Sequence, residues 1–171
     1  MEEAPFAVTE EYQLGNLTEV KEDRVVLPVQ SAARFRIQNA AARTSKDGSI
    51  KSISLELRLV DGIDVGGETK YQNKPMFVDV IYWVDTNVRS SKWWTSPNKP
   101  YLLPLKQLLT ALEYPLDAPP KLNDQFYSEI KGREVRADIT VDPVQVKDPV
   151  TMKYVDVPGE FTNKIKKFTA A

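Results

Sequence analysis

The chain has 171 residues, a net charge of −1, and neither cysteine nor histidine; this excludes disulfides, thiolate zinc sites, cysteine nucleophiles and any site that needs an imidazole from within the chain. A chain of this length buries enough surface to fold without staples as one domain. Charge is unevenly spread: residues 1–23 hold seven acids and one base, net −6, while residues 24–171 hold 22 bases and 17 acids, net +5, which points either to an electrostatic partner or to a solvated arm on an ordinary mixed surface.

The opening MEEAPFAVTEEYQLG is acidic and lacks the apolar run of a signal peptide. Apolar stretches such as Val78–Val84 are interrupted by charge and too short to cross a bilayer. The expected location is therefore the cytoplasm, with no membrane partner. Residues 1–26 are predicted to form an acidic N-terminal arm, and residues 27–171 a single β-rich domain.

Twelve prolines and seven glycines cut the chain into short pieces, as suits strands joined by loops. In Ala33–Ala41, Phe35 and Ile37 alternate with Arg34, Arg36 and Gln38, the period of a half-buried strand. Lys46-Asp47-Gly48 reads as a hairpin turn. In Ile50–Val60, Ile53, Leu55, Leu57 and Leu59 face one way, and Ser52, Ser54, Glu56 and Arg58 the other. Gly66-Gly67 reads as a flexible loop. Lys74–Val84 is a strand apolar on both faces, Met76, Val78, Val80 and Tyr82 on one side and Phe77, Ile81 and Trp83 on the other; such a strand is central in a sandwich or turns an aromatic face to a ligand.

Arg89–Tyr101 reads as a loop. Pro104–Tyr114 is the clearest helix, with proline in its first turn and Leu105, Leu108, Leu109 and Leu112 on one face. Asn123 is a plausible N-cap for a second short helix ending near Ile130. Arg133–Val141 alternates as a strand, Pro143–Val146 and Thr151–Val157 are expected to form a hairpin around Asp148-Pro149, and Phe161–Phe168 is a basic terminal strand. Three strands, a helix and two or more strands is the order of an OB-fold, a five-stranded Greek-key barrel with a helix between strands 3 and 4. Other mixed barrels and sandwiches share that order.

Several blocks then carry a resemblance: Arg34–Thr44 running into Ser45-Lys46-Asp47-Gly48, Leu55–Gly62, Leu105-Lys106-Gln107-Leu108-Leu109, Gly132-Arg133-Glu134-Val135 and Asn163–Phe168. In their shared order they resemble bacteriophage single-stranded-DNA-binding proteins of the OB-fold type, among them uncharacterised phage proteins encoded near recombination and replication genes. The resemblance covers about Ala33 to Phe168. It implies a non-catalytic protein that coats DNA single strands during phage replication or recombination, with replication or recombination proteins or a second copy of the chain as further partners. One departure stands out: single-strand binders often end in an acidic tail, whereas here Lys164, Lys166 and Lys167 lie near the end and the acids lie at the start.

Sequence-tolerant binding of a single strand needs cations that follow the phosphates and aromatic faces on which bases stack. The candidates are Arg34, Arg36 and Arg58 on the first two strands, Phe77 and Trp83 on the third, and Arg89, Lys92, Trp93, Trp94 and Lys99 in the loop after it. Core packing of Trp83 and of one of Trp93 and Trp94 is the competing explanation, and a solvated face with Glu56 as partner is that for the arginines. Two other classes stay open. One is a protein-interaction module whose tryptophan loop is an interface hot spot; the other is a metal-dependent nuclease using Asp79 and Asp85, or Asp61 and Asp64, which lack a third acid at a fitting spacing. No phosphate-binding Gly-Lys-Ser/Thr loop is present, and no cofactor is expected.

An anionic arm tethered beside a cationic groove competes with phosphates for it. Deleting residues 1–23 is expected to tighten oligo-dT binding at low salt and to leave the thermal midpoint unchanged, as read by fluorescence titration and thermal melting. A large fall in the midpoint would make the arm part of the fold instead.

Overall fold

The computed structural model describes residues 13–15 and 26–171; the acidic arm lies almost wholly outside them. Seven strands are present among the described residues: β1 (Gln30–Thr44), β2 (Ile50–Leu59), β3 (Ile63–Val65), β4 (Glu68–Lys70), β5 (Pro75–Val84), β6 (Glu134–Lys147) and β7 (Tyr154–Ala170). Between β5 and β6 come α1 (Lys92–Thr95), a 3-10 turn (Pro100–Leu102), α2 (Leu103–Ala111) and α3 (Asp124–Ile130). Five strands form one antiparallel sheet in the order β5-β2-β1-β6-β7, and β3 and β4 form a small hairpin. The protein is mostly β, as expected.

The sheet does not close into a barrel among the described residues: no ladder joins its outer strands β5 and β7. α2 packs against both. Its apolar face is the predicted one, with Leu108, Leu109 and Leu112 buried and Leu105 packed against the core.

β1 is the shared strand. Its first part pairs with β6 (Gln30↔Ile139 to Arg36↔Glu134), and Phe35 onward pairs with β2 (Phe35↔Leu59 to Thr44↔Lys51). Gln38 is an extra, unpaired residue between the pairs Ile37↔Leu57 and Asn39↔Glu56, so the alternation resets there. Phe35 and Ile37 point inward before this bulge, and Ala40 packs against the core after it. Against them lie Ile53, Leu55, Leu57 and Leu59 of β2, Met76 and Val80 of β5, Val135, Ala137 and Ile139 of β6, and Phe168 of β7, all buried.

Turns form where side chains meet the backbone's needs. The Asp47 carboxylate accepts from Ser49 N–H (3.0 Å), Ser49 Oγ (2.6 Å) and Ser45 Oγ (2.8 Å), which shapes the β1–β2 hairpin. The predicted N-cap forms, with Asn123 Oδ1 accepting from Phe126 N–H at 3.0 Å. Arg133 Nη2 donates to the Leu112 carbonyl at the end of α2 (2.8 Å), and its guanidinium lies 5.8 Å from the Tyr114 ring centre. Asn163 of β7 clasps the chain as it enters: its Oδ1 accepts from Leu27 N–H (2.8 Å) and its Nδ2 donates to Leu27 O (2.7 Å), with Leu27 fully buried. The predicted final hairpin is the far end of the β6–β7 ladder, from Gln145↔Asp156 to Lys147↔Tyr154.

The stretch expected as a flexible loop around Gly66-Gly67 is the β3–β4 hairpin, anchored by buried Ile63. Gly62 leads into it with φ +72°, and a Cβ there would stand 2.7 Å from Thr69 Cγ2 and 2.8 Å from Lys70 O. Gly48 also has a positive φ (+74°) but open space around it. Gly48→Ala is therefore expected to lose only the left-handed backbone preference, about 1 kcal/mol, and Gly62→Ala about 2 kcal/mol or more, because it adds a clash with the backbone. Chemical denaturation of the two variants checks the order.

Candidate functional site

Because β1, β2 and β6 bury alternate residues, their remaining side chains share the outer face of the sheet. Register then decides which of them meet. Arg36 of β1 lies directly opposite Arg58 of β2, and Arg34 directly opposite Arg136 of β6. Like charges facing each other across strands are destabilising; here two such pairs lie side by side.

Carboxylates offset part of that repulsion. Glu134 Oε2 accepts from Arg34 Nε at 2.7 Å, and Asp61 stands 3.4 Å from Arg34 Nη1. The hydrogen bond and charge of Glu134, with a smaller contribution from Asp61, raise the Arg34 pKa further. Glu56 lies 3.2 Å from Arg58 Nη2, and Arg136 donates to the Ala32 carbonyl at 3.0 Å. Arg36 is exposed and enters no ion pair among the described residues.

β5 continues this face. Phe77 sits opposite Glu56 and is 67% exposed, too much for a core residue. Asp79 sits opposite Ser54 and pairs with Arg43 of β1 at 2.8 Å. From Arg58 to Ser52 the face runs about 20 Å along β2 at the usual strand rise.

Trp83 does not join the row that strict alternation gives it. The β2–β5 register shifts between Lys51 and Ser52, so Trp83 falls opposite Lys51, in phase with Ile53 and Leu55 rather than with Ser54 and Glu56. It remains 42% exposed at the hairpin end of the sheet, with Lys51 Nζ 4.9 Å from its ring centre.

Arg89 is not free: its Nε donates to Ser49 Oγ at 3.0 Å and its Nη2 lies 3.4 Å from Asp47. It ties the segment after β5 to the β1–β2 hairpin. Lys92 and Trp93 then sit on the single turn α1, both exposed, Trp93 by 56%. Trp94 is half-buried against Tyr101, ring centres 5.6 Å apart. Lys99 is exposed in a left-handed conformation (φ +46°) just before the 3-10 turn. The fold thus gathers Arg34, Arg36, Arg58 and Phe77 on one face and leaves Trp83, Arg89, Lys92 and Trp93 to follow from its hairpin end. Arg43 and Arg136 belong with these groups and were not among the sequence candidates.

The four acids considered as metal ligands are dispersed. Asp61 faces Arg34, Asp64 accepts from Gly67 N–H, Asp79 pairs with Arg43, and Asp85 accepts from Asn87 N–H. Among the described residues no group of three such side chains comes together, and no helix is long and apolar enough to cross a membrane.

Hydrogen bonds from Ser49 and Ser45, with the nearby Arg89 guanidinium, hold the Asp47 carboxyl well below the usual carboxylate range. A lowered folded-state pKa stabilises the protein fully above the unfolded value of about 3.9 and progressively less as pH falls through the folded value. The stability advantage of the wild type over Asp47→Asn is therefore expected to be constant above about pH 5 and to shrink as pH drops below about 4, as measured by denaturation at a series of pH values. An advantage that does not change with pH would overturn this role for the charge. No protein-family model matches the chain, and a search of curated proteins finds no match either.

Proposed function

We propose that the chain binds single-stranded DNA without sequence preference and without catalysis, along the outer face of β1, β2 and β5. The observation that carries this is the direct opposition of Arg36 and Arg58 next to exposed Phe77 on the same face. Cations crowded together are stabilised by an anion that follows them, and an exposed aromatic ring offers a base a stacking surface. The strand order supports an OB-like reading: three antiparallel strands β1, β2 and β5, then helices, then β6 returning beside β1. The face of the second and third strands is where OB-folds take oligonucleotides. The bound strand would run from the arginines across Phe77 to the hairpin end, beyond which Trp93 is exposed. A role in phage DNA replication or recombination follows from the resemblance of the sequence blocks.

A second reading, a protein-interaction module, draws on the far end of the β6–β7 ribbon. There Val146, Val150, Met152, Tyr154, Val155 and Phe161 are exposed, more apolar surface than scattered single residues.

Titration of the protein with oligo-dT at several salt concentrations separates the two. Binding is expected to quench tryptophan emission and to weaken with salt. Phe77→Ala should lose about tenfold in affinity, within the 1–3 kcal/mol of one stacked base. Arg36→Ala should flatten the plot of log affinity against log salt by up to about 0.7. Both side chains are exposed, so the thermal midpoint should hold. Absence of binding at low salt would favour the interaction module, and binding with wild-type affinity and slope in both variants would move the path off this face.

A further inference from the structure

The arginines of the outer face are not equally open to an incoming anion. Arg58 already faces the Glu56 carboxylate at 3.2 Å, and Arg34 faces Glu134 at 2.7 Å and Asp61 at 3.4 Å. Glu56 stands two residues from Arg58 on β2 and directly opposite Phe77, in the middle of the proposed path. Glu134 stands directly opposite Arg36 on β6. Both pairs are part-buried, with side-chain exposures of 31% and 24% for Arg58 and Glu56 and 35% and 31% for Arg34 and Glu134. Each carboxylate presents the same two-oxygen anion edge to a guanidinium that a phosphate would present.

We infer that Glu56 and Glu134 are positioning residues of the nucleic-acid face that hold Arg58 and Arg34 in place when the face is empty and compete with phosphates for them when it is filled. The inference rests on the proposed binding of single strands. Its physical content is an exchange. A phosphate that takes Arg58 displaces Glu56, and the freed carboxylate gathers a cation as the phosphate releases one. Two of the arginine contacts then add little to the salt dependence, whereas Arg36, with no such partner among the described residues, adds its full share. The carboxylates also keep opposed cations from repelling each other in the empty state. The consequence is a face ordered in advance that binds a strand weakly enough to release it.

The test is oligo-dT titration at several salt concentrations for the wild type, Glu56→Gln, Glu134→Gln and the control Glu113→Gln. Glutamine keeps a hydrogen-bond acceptor and removes the charge. Glu113 is exposed just beyond α2 and forms no ion pair among the described residues, so its replacement matches the change in net charge alone. Glu56→Gln and Glu134→Gln are expected to bind about three- to tenfold more tightly at low salt than the wild type, with a salt slope steeper by up to about 0.7 each. The control should follow the wild type. If the wild type binds and the two variants match either it or the control, the exchange is wrong and the proposed face stands. If neither the wild type nor any variant binds, the proposed function falls and the inference with it. Should one variant fail to fold, the other decides, since the two carboxylates lie on different strands.

Discussion

Most of this architecture depends on one strand serving two partners. β1 leaves β6 after Arg36, where Ile37 N–H still donates to the Arg133 carbonyl and Gly132 N–H to Ile37 O, and runs on with β2 alone to Thr44. A long strand shared in this way must bend. Two irregularities let it: a bulge near Ala32, whose φ is +49° and whose N–H is held by Asp138 at 2.8 Å, and the extra residue Gln38. Bulges bend a strand and strengthen its twist. Between them lies a short stretch, Ala33–Ile37, in which Ala33, Phe35 and Ile37 are all buried. Its alternate members Arg34 and Arg36 therefore have to face outward, into the register of β2 on one side and β6 on the other.

The charge pattern on the outer face follows from that placement. Because the side-chain period is two, any residue that keeps Phe35 and Ile37 inside puts Arg34 and Arg36 outside. The ladders then bring Arg58 and Arg136 opposite them. A protein selected for stability alone has simpler choices at these positions, since an acid opposite an arginine contributes while an arginine opposite an arginine costs. The acids are present, but displaced: Glu56 beside Arg58 on its own strand, and Glu134 opposite Arg36 yet reaching Arg34. The result is a face on which positive groups are held close together with partial neutralisation, and on which Arg36 enters no ion pair among the described residues.

Elements set by local chemistry were legible in the sequence. The alternation of β2, the leucine face of α2, the Asn123 cap and the Asp47-Gly48 turn each depend on residues within a few positions of one another. The opposition of Arg36 and Arg58 was only half visible. The shared face of Arg34 and Arg36 follows from spacing, but the register that brings in Arg136 depends on where β6 returns. Trp83 shows the limit from the other side. Counting by twos from Phe77 puts it on the outer face, and a single register shift at Tyr82 moves it opposite Lys51. The β3–β4 hairpin was hidden because three-residue strands are too short to show a period, and the Gly66-Gly67 pair reads equally as a loop or as a turn. The open seam was invisible as well, since strand order says nothing of whether the last strand reaches the first edge.

That seam bears on how the face is used. An edge strand without a neighbour exposes backbone groups and invites pairing with other chains. Here α2 lies against both β5 and β7 from the core side, while Phe77 on the outer face of β5 stays exposed. Phe77 is exposed as a consequence: it projects from the last strand of the sheet, with Glu56 across the ladder and no strand beyond it among the described residues. An aromatic side chain at such a border is reached from the face and from the side. A flat ligand can stack on it without the sheet having to open, whereas in the middle of a closed barrel its neighbours on both sides would limit access. The same packing that leaves the sheet open thus gives its outer face an accessible ring beside the arginines.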